Sequence, residues 1–315
     1  MEIFVTDKFL DEFTSLESDS FKNNDRSKLE VYIKIYKLIS SGLRIRSDIT
    51  IDNLKSRFDP SGNKSYKDIK DIIAAFAIKS GDYKYREMNF EIVPNYNAYY
   101  LLGDTFKKGK HSGTIMIDDL KNLDDFYSGC TVNSLKISND YSIIEKSVPP
   151  CNSMMIIDKY LFNGDKKLEN LIKFIKLYKN KELDVPFQLT IVSSYDNSNR
   201  TISPSIFQKS ILALNRIENF NYEILLDKNI PIDDREIYTN YTKGSIGHPF
   251  DDRKTLFNQN FLATSDNIMR DYMDFYQSLI SWKKFCSEIP EKMGNIATKF
   301  SNTEFKNRLF ENIDH

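Results

Sequence analysis

Between residues 153 and 226 the chain alternates two kinds of pattern, and that alternation limits the fold more than any other feature. Ser153-Met154-Met155-Ile156-Ile157-Asp158 is a continuous apolar run that ends in a carboxylate. Leu168, Leu171, Ile172 and Ile175 then recur at helical spacing, and Phe187-Gln188-Leu189-Thr190-Ile191-Val192 is a second run. Ser203-Pro204 offers an N-cap followed by proline at the first helical position, with Phe207, Ile211 and Leu214 continuing one face. Tyr222-Glu223-Ile224-Leu225-Leu226 is a third run. Strands buried on both faces read as unbroken apolar runs, and the helices between them as amphipathic stripes. The spacing therefore predicts helices over 167–179 and about 203–219. Glu236-Ile237-Tyr238-Thr239 adds a fourth strand, Gly244 to Gly247 reads as a glycine loop, and the tail from about Asp266 reads as helical, interrupted by Pro290 and Gly294. The order predicts an α/β fold with a mixed β-sheet covered by helices.

The first half is patterned differently. Leu29, Tyr32, Ile33, Tyr36 and Ile39 mark a helix over about 27–40, and Ile69, Ile72, Ile73 and Phe76 mark another after the cap-like Ser65-Tyr66-Lys67-Asp68. From Tyr83 to Ile117 the residues turn β-like, with Thr114-Ile115-Met116-Ile117 as a strand candidate. The expected organisation is an N-terminal α+β region over 1–145, an α/β region over 146–265, and C-terminal helices over 266–315 that pack back on the core. Tyr272, Phe275, Leu279, Trp282, Phe285 and Ile289 form the stripe that would dock them.

Charge and composition exclude several functional classes. Residues 1–150 carry 22 basic and 23 acidic side chains and residues 151–315 carry 22 of each, so neither half is a basic nucleic-acid domain on charge alone. The longest uncharged stretch, Ile92 to Gly103, is short of a membrane span, and Met1 to Leu10 lacks the basic flank of a signal peptide, so a cytoplasmic protein with no membrane partner is expected. Cys130, Cys151 and Cys286 lie far apart, against both a disulfide framework and a zinc ribbon. His111, His248 and His315 form no metal-binding spacing, and the chain has no P-loop, dinucleotide-binding or G-x-S-x-G motif. No metal and no cofactor are expected. Asp59, Asp82 and Lys84 have the residue types of a metal-dependent nuclease, and Lys107, Lys108 and Lys110 those of a phosphate contact. Solvated loops and strand faces account for both sets more simply.

One segment concentrates polar residues on and just after a predicted strand: Ile232-Asp233-Asp234-Arg235-Glu236-Ile237-Tyr238-Thr239-Asn240-Tyr241, then Thr242-Lys243-Gly244-Ser245-Ile246-Gly247-His248-Pro249-Phe250. Ion pairing at a strand end followed by a turn is one reading of it. The segment also resembles the phospholipase D-like superfamily, whose motif is H-x-K-x-x-x-x-D followed by a Gly-Ser step. It is nearest to reduced bacterial members with a His-Asp-Arg and Thr-Asn signature. By spacing, Asp233 takes the histidine position, Arg235 the lysine position, Asn240 the aspartate position, and Gly244-Ser245 the Gly-Ser step. The similarity extends over about 145–260 and includes the upstream strand ending in Asp158 and Tyr160.

The departures decide what the resemblance implies. Catalytic members form a covalent intermediate on histidine, and a carboxylate at Asp233 repels the phosphodiester that it would attack. Arg235 keeps a permanent charge and can clasp a phosphate through two hydrogen bonds, while Asn240 and Ser245 can still donate. What remains is an anion-binding set of Arg235, Asn240, Ser245, Asp233 and Gly244 without its nucleophile. The resemblance thus implies a non-catalytic or weakly catalytic module that binds nucleic acid or a partner protein in a bacterial anti-phage system. Single-motif members pair, so it also implies a homodimer. Two alternatives stay open at this point: a nuclease in which another group attacks, and a structural or assembly protein.

Overall fold

The structure, a computed structural model, describes residues 2–23, 33, 36, 39, 44–57, 69–79, 85–87, 98–102, 114–116, 130–135, 144, 148, 151–179, 185–195, 202–231, 235–240, 242–247, 250, 255–261, 268–293 and 296–310. The chain divides into two compact units, one built from residues 1–126 and 263–271 and the other from 127–262 and 272–315.

The first unit holds β1 (Glu2–Val5), α1 (Asp7–Asn23), β2 (Arg44–Ser47), α2 (Ile51–Arg57), α3 (Ile69–Lys79), β3 (Tyr85–Glu87), β4 (Ala98–Leu102) and β5 (Thr114–Met116). Its sheet runs β3-β2-β1-β4-β5, and every pair is parallel. This corrects the α+β expectation. Parallel neighbours require crossovers, and α1 between β1 and β2 and α2 and α3 between β2 and β3 supply two of them in the α/β manner. Ile3, Val5, Phe9, Phe13, Ile45 and Ile73 are buried at its core. Lys70 on α3 pairs with both Asp7 and Asp11 on α1.

The second unit begins with β6 (Cys130–Leu135), β7 (Ser153–Ile157), α4 (Asp165–Tyr178), β8 (Phe187–Ser193), α5 (Pro204–Leu214) and β9 (Phe220–Leu226). β10 (Glu236–Thr239), β11 (Thr242–Ile246) and β12 (Thr255–Phe261) follow. The sheet order is β15-β9-β8-β7-β10-β11-β12-β6, where β15 is Lys299–Ser301. β7, β8 and β9 are parallel, and the other pairings are antiparallel. The mixed α/β sheet is thus present. Leu171, Phe174 and Ile175 of α4 and Leu214 of α5 join Met154, Ile156, Leu189, Ile191 and Ile224 in one core. α6 (Ile268–Glu288) buries Phe275, Leu279 and Trp282, and Ile289 beyond it is buried too.

Two expectations in this unit change. Thr242–Ile246 is a strand, not a glycine loop, and its glycine is required by packing: a Cβ on Gly244 would lie 2.7 Å from the Asn258 carbonyl oxygen. The long helix of the tail stops at Glu288, and a single 3-10 turn follows at Arg308–Phe310. Pro290 ends α6, a hairpin of β13 (Lys292–Met293) and β14 (Ile296–Ala297) follows, and β15 completes the sheet edge with Phe300 packed edge-on to Phe207. No helix among the described residues is long and apolar enough to cross a membrane.

Candidate anion site at the strand ends

β7 is buried along its whole length and delivers Asp158 to its carboxyl end, beside the end of parallel β8. Carboxyl ends of parallel strands are where α/β sheets place ligand-facing groups. Asp158 is 1% exposed. Its Oδ1 accepts the Tyr160 backbone N–H at 2.9 Å and lies 3.7 Å from Arg235 Nε. Its Oδ2 has no hydrogen-bond partner among the described residues. Burial pushes the carboxyl above its ordinary value, and the Tyr160 N–H, Lys167 and Arg235 pull against that rise.

Arg235 precedes β10, which pairs antiparallel with β7, so the two strand ends meet. Its Nη1 donates to the Gly247 carbonyl at 2.9 Å, and its guanidinium lies 5.5 Å from the Tyr160 ring centroid. Lys167, in the first turn of α4, donates to the Tyr160 carbonyl at 3.1 Å. Two cations therefore face one buried carboxylate. The Arg235 side chain remains 20% exposed.

The other residues of the predicted set are not all at this place. Asn240 is fully buried at the opposite end of β10, roughly 16 Å away at about 3.3 Å per strand residue. Its amide is spent on Asn152 and Ser153, so Asn240 is a strand lock and not an anion ligand. Ser245 pairs in register with Glu236 and Gly244 with Ile237. Ile237 belongs to the α4–α5 core, so alternation puts Ser245 on the face away from it. Gly244 serves packing. Asp233 lies outside the described residues, as do Asp234, Tyr241 and His248, and so do Asp59, Asp82, Lys84, Lys107, Lys108, Lys110 and His111. Among the described residues, no group of three His, Cys, Asp or Glu side chains is placed to hold a metal ion.

Sequence reasoning passed over Asp158, Tyr160 and Lys167 as a site, although a carboxylate closing an all-apolar run was a usable signal. No family model and no curated protein matches the chain. Among solved structures, TrmBL2, an archaeal chromatin protein with a novel mode of DNA binding, is similar at 9% identity and a TM-score of 0.28, over 50% of this chain. The chain spans about half (52%) of that protein's length. A likeness this low carries no functional argument, which must come from the site.

Proposed function

We propose that the second unit is a degenerate phospholipase D-like module that binds the phosphate backbone of nucleic acid without cleaving it. The observation that carries this reading is Arg235, fixed by Gly247, Tyr160 and Asp158 where β7, β10 and β11 end, with its side chain 20% exposed and Lys167 beside the same carboxylate. A guanidinium held in this way loses little freedom on binding and presents a fork suited to phosphate. Cleavage is not part of the proposal, because Asp233 stands where the attacking histidine of the resembled superfamily would be. An anti-phage role and a homodimer follow from the same resemblance and are proposed with it.

The test is fluorescence anisotropy with labelled single- and double-stranded DNA and RNA, with and without Mg²⁺, on the full chain and on Arg235→Gln. Saturable, salt-dependent binding that Arg235→Gln weakens, with the strands recovered at full length, is the expected result. Equal binding by both proteins, or none, overturns the site and favours a protein partner. Shortened strands favour the nuclease. Sedimentation velocity checks the dimer against the 36.8 kDa monomer.

A further inference from the structure

A second feature lies between the β10–β11 hairpin and α6, on the sheet face away from the α4–α5 core. It is a cleft of about 540 Å³ whose lining includes Glu236, Tyr238, Lys243, Asp274, Trp282 and Phe285. That volume is in the range of small-molecule sites, roughly 300–1,000 Å³.

The chemistry of the cleft is set by Glu236. Its Oε2 accepts two hydrogen bonds, from the Tyr238 hydroxyl at 2.6 Å and from the Trp282 indole N–H at 3.2 Å. Both donors are on buried rings, Tyr238 fully and Trp282 at 5% exposure, so they fix the carboxylate from beneath. Oε1 receives no hydrogen bond from any described residue, and Glu236 has no ion-pair partner within 4 Å among them. Lys243, the cation in the lining, holds the Ser278 hydroxyl at 3.1 Å and lies over the Tyr238 ring at 5.6 Å. Asp274, exposed on α6, adds a second carboxylate. Phe285 packs edge-on to Trp282 at 5.5 Å and supplies an aromatic flank.

An anchored carboxylate with one oxygen uncommitted, a second acid in the same lining and aromatic surface at its edge is complementary to a positively charged N–H donor. We propose that this cleft binds a compact organic cation, a guanidinium or primary ammonium group, which donates to Glu236 Oε1. The site does not depend on Arg235, and it stands or falls separately from nucleic-acid binding. The cation is either a free small molecule or the side chain of a basic residue in a peptide.

Trp282 is the single tryptophan of the chain, and its indole N–H is bonded to the carboxylate in question, so its fluorescence reports occupancy directly. The full chain is titrated at constant ionic strength with agmatine, and separately with N-acetyl-arginine amide, with glutarate and urea as anionic and neutral controls. A saturable change with agmatine is expected, half-complete on the order of millimolar for an open site. Saturation by the arginine amide as well assigns the site to a peptide side chain, and saturation by agmatine alone to a small molecule. Glu236→Gln keeps an oxygen for the Tyr238 and Trp282 donors and should weaken binding about tenfold or more. Asp274→Asn, at an exposed position that leaves the fold intact, should weaken it about two- to threefold. The proposal is overturned if no cation saturates the signal, if glutarate or urea saturates it as well, or if Glu236→Gln binds unchanged. If Glu236→Gln fails to fold, unchanged binding by Asp274→Asn overturns it.

Discussion

Asn240 and Asn152 lock the amino end of β7 to the far end of β10. The Asn240 amide donates to Asn152 Oδ1 at 2.9 Å, while its own Oδ1 accepts the backbone N–H groups of Asn152 and Ser153, each at 3.0 Å. All of these groups are buried. Asn240→Ala removes a hydrogen bond from two backbone donors and one side-chain acceptor. At about 1–3 kcal/mol for each unsatisfied buried group, softened by relaxation, the expected cost is about 3 kcal/mol in urea unfolding. Because this lock is remote from Arg235, the folded variant should bind DNA as the wild type does. A parallel loss of affinity would return Asn240 to the anion site.

Asp158 gives a pH dependence of defined sign. Burial holds its carboxyl above the ordinary value of 3.8, so the folded protein takes up the proton more readily than the unfolded chain does. The stability this contributes is fully present below the ordinary value and is lost as pH rises through the raised one. Asp158→Asn removes the titration. Its melting temperature should gain on that of the wild type as pH rises from 4 to 8. It also removes a negative charge beside Arg235 and Lys167, so phosphate affinity should rise. A difference that stays constant between pH 4 and pH 8 would show that burial does not raise the Asp158 carboxyl.

What the sequence disclosed and what it concealed follow from burial. β7, β8 and β9 were legible because they are covered on both faces, and such strands are mostly apolar on both. β11 was not, because Thr242-Lys243-Gly244-Ser245-Ile246 has the residues of a turn and becomes a strand only through pairing with β10 and β12. The parallel sheet of the first unit was hidden by strands of only three to five residues, too short for a periodic signal. Arg235 was singled out through motif spacing. The same spacing drew in Asn240, because distance along a motif does not say which end of a short strand a residue occupies. Glu236 gave no signal, since its partners Tyr238 and Trp282 are joined to it only by the packing of α6.

Gly244 tests the strand reading of that segment. A methyl group there would meet the Asn258 carbonyl oxygen at 2.7 Å, and that atom is backbone of the neighbouring strand, so relief requires β11 and β12 to separate. Gly244→Ala should cost about 2 kcal/mol, within the usual range for overpacking. Amide exchange should accelerate in β11 and β12 before it does in β7 and β8. An unchanged midpoint in denaturant would show that the two strands part freely.

The last element to bind the sheet is the segment around Asn307. Its Nδ2 donates to Thr190 Oγ1 at 2.8 Å and to the Met154 carbonyl at 3.3 Å, and its Oδ1 accepts the Ser153 hydroxyl and the Leu309 N–H. Arg308 donates to the carbonyls of Pro186 and Asn152 at 2.7 and 3.1 Å. Ser153 is therefore held twice, by Asn307 through its hydroxyl and by Asn240 through its backbone N–H. Losing Asn307 unsatisfies several buried groups, and Asn307→Ala should cost about 2–4 kcal/mol. Because the two asparagines share Ser153, their losses should not add. A double-mutant cycle with Asn240→Ala should show a coupling of about 1 kcal/mol, well above the roughly 0.3–0.5 kcal/mol scatter of independent sites. Additive costs would mean that the C-terminal segment and the β7–β10 lock hold the sheet separately, and that removing residues 303–315 would leave β10 in place.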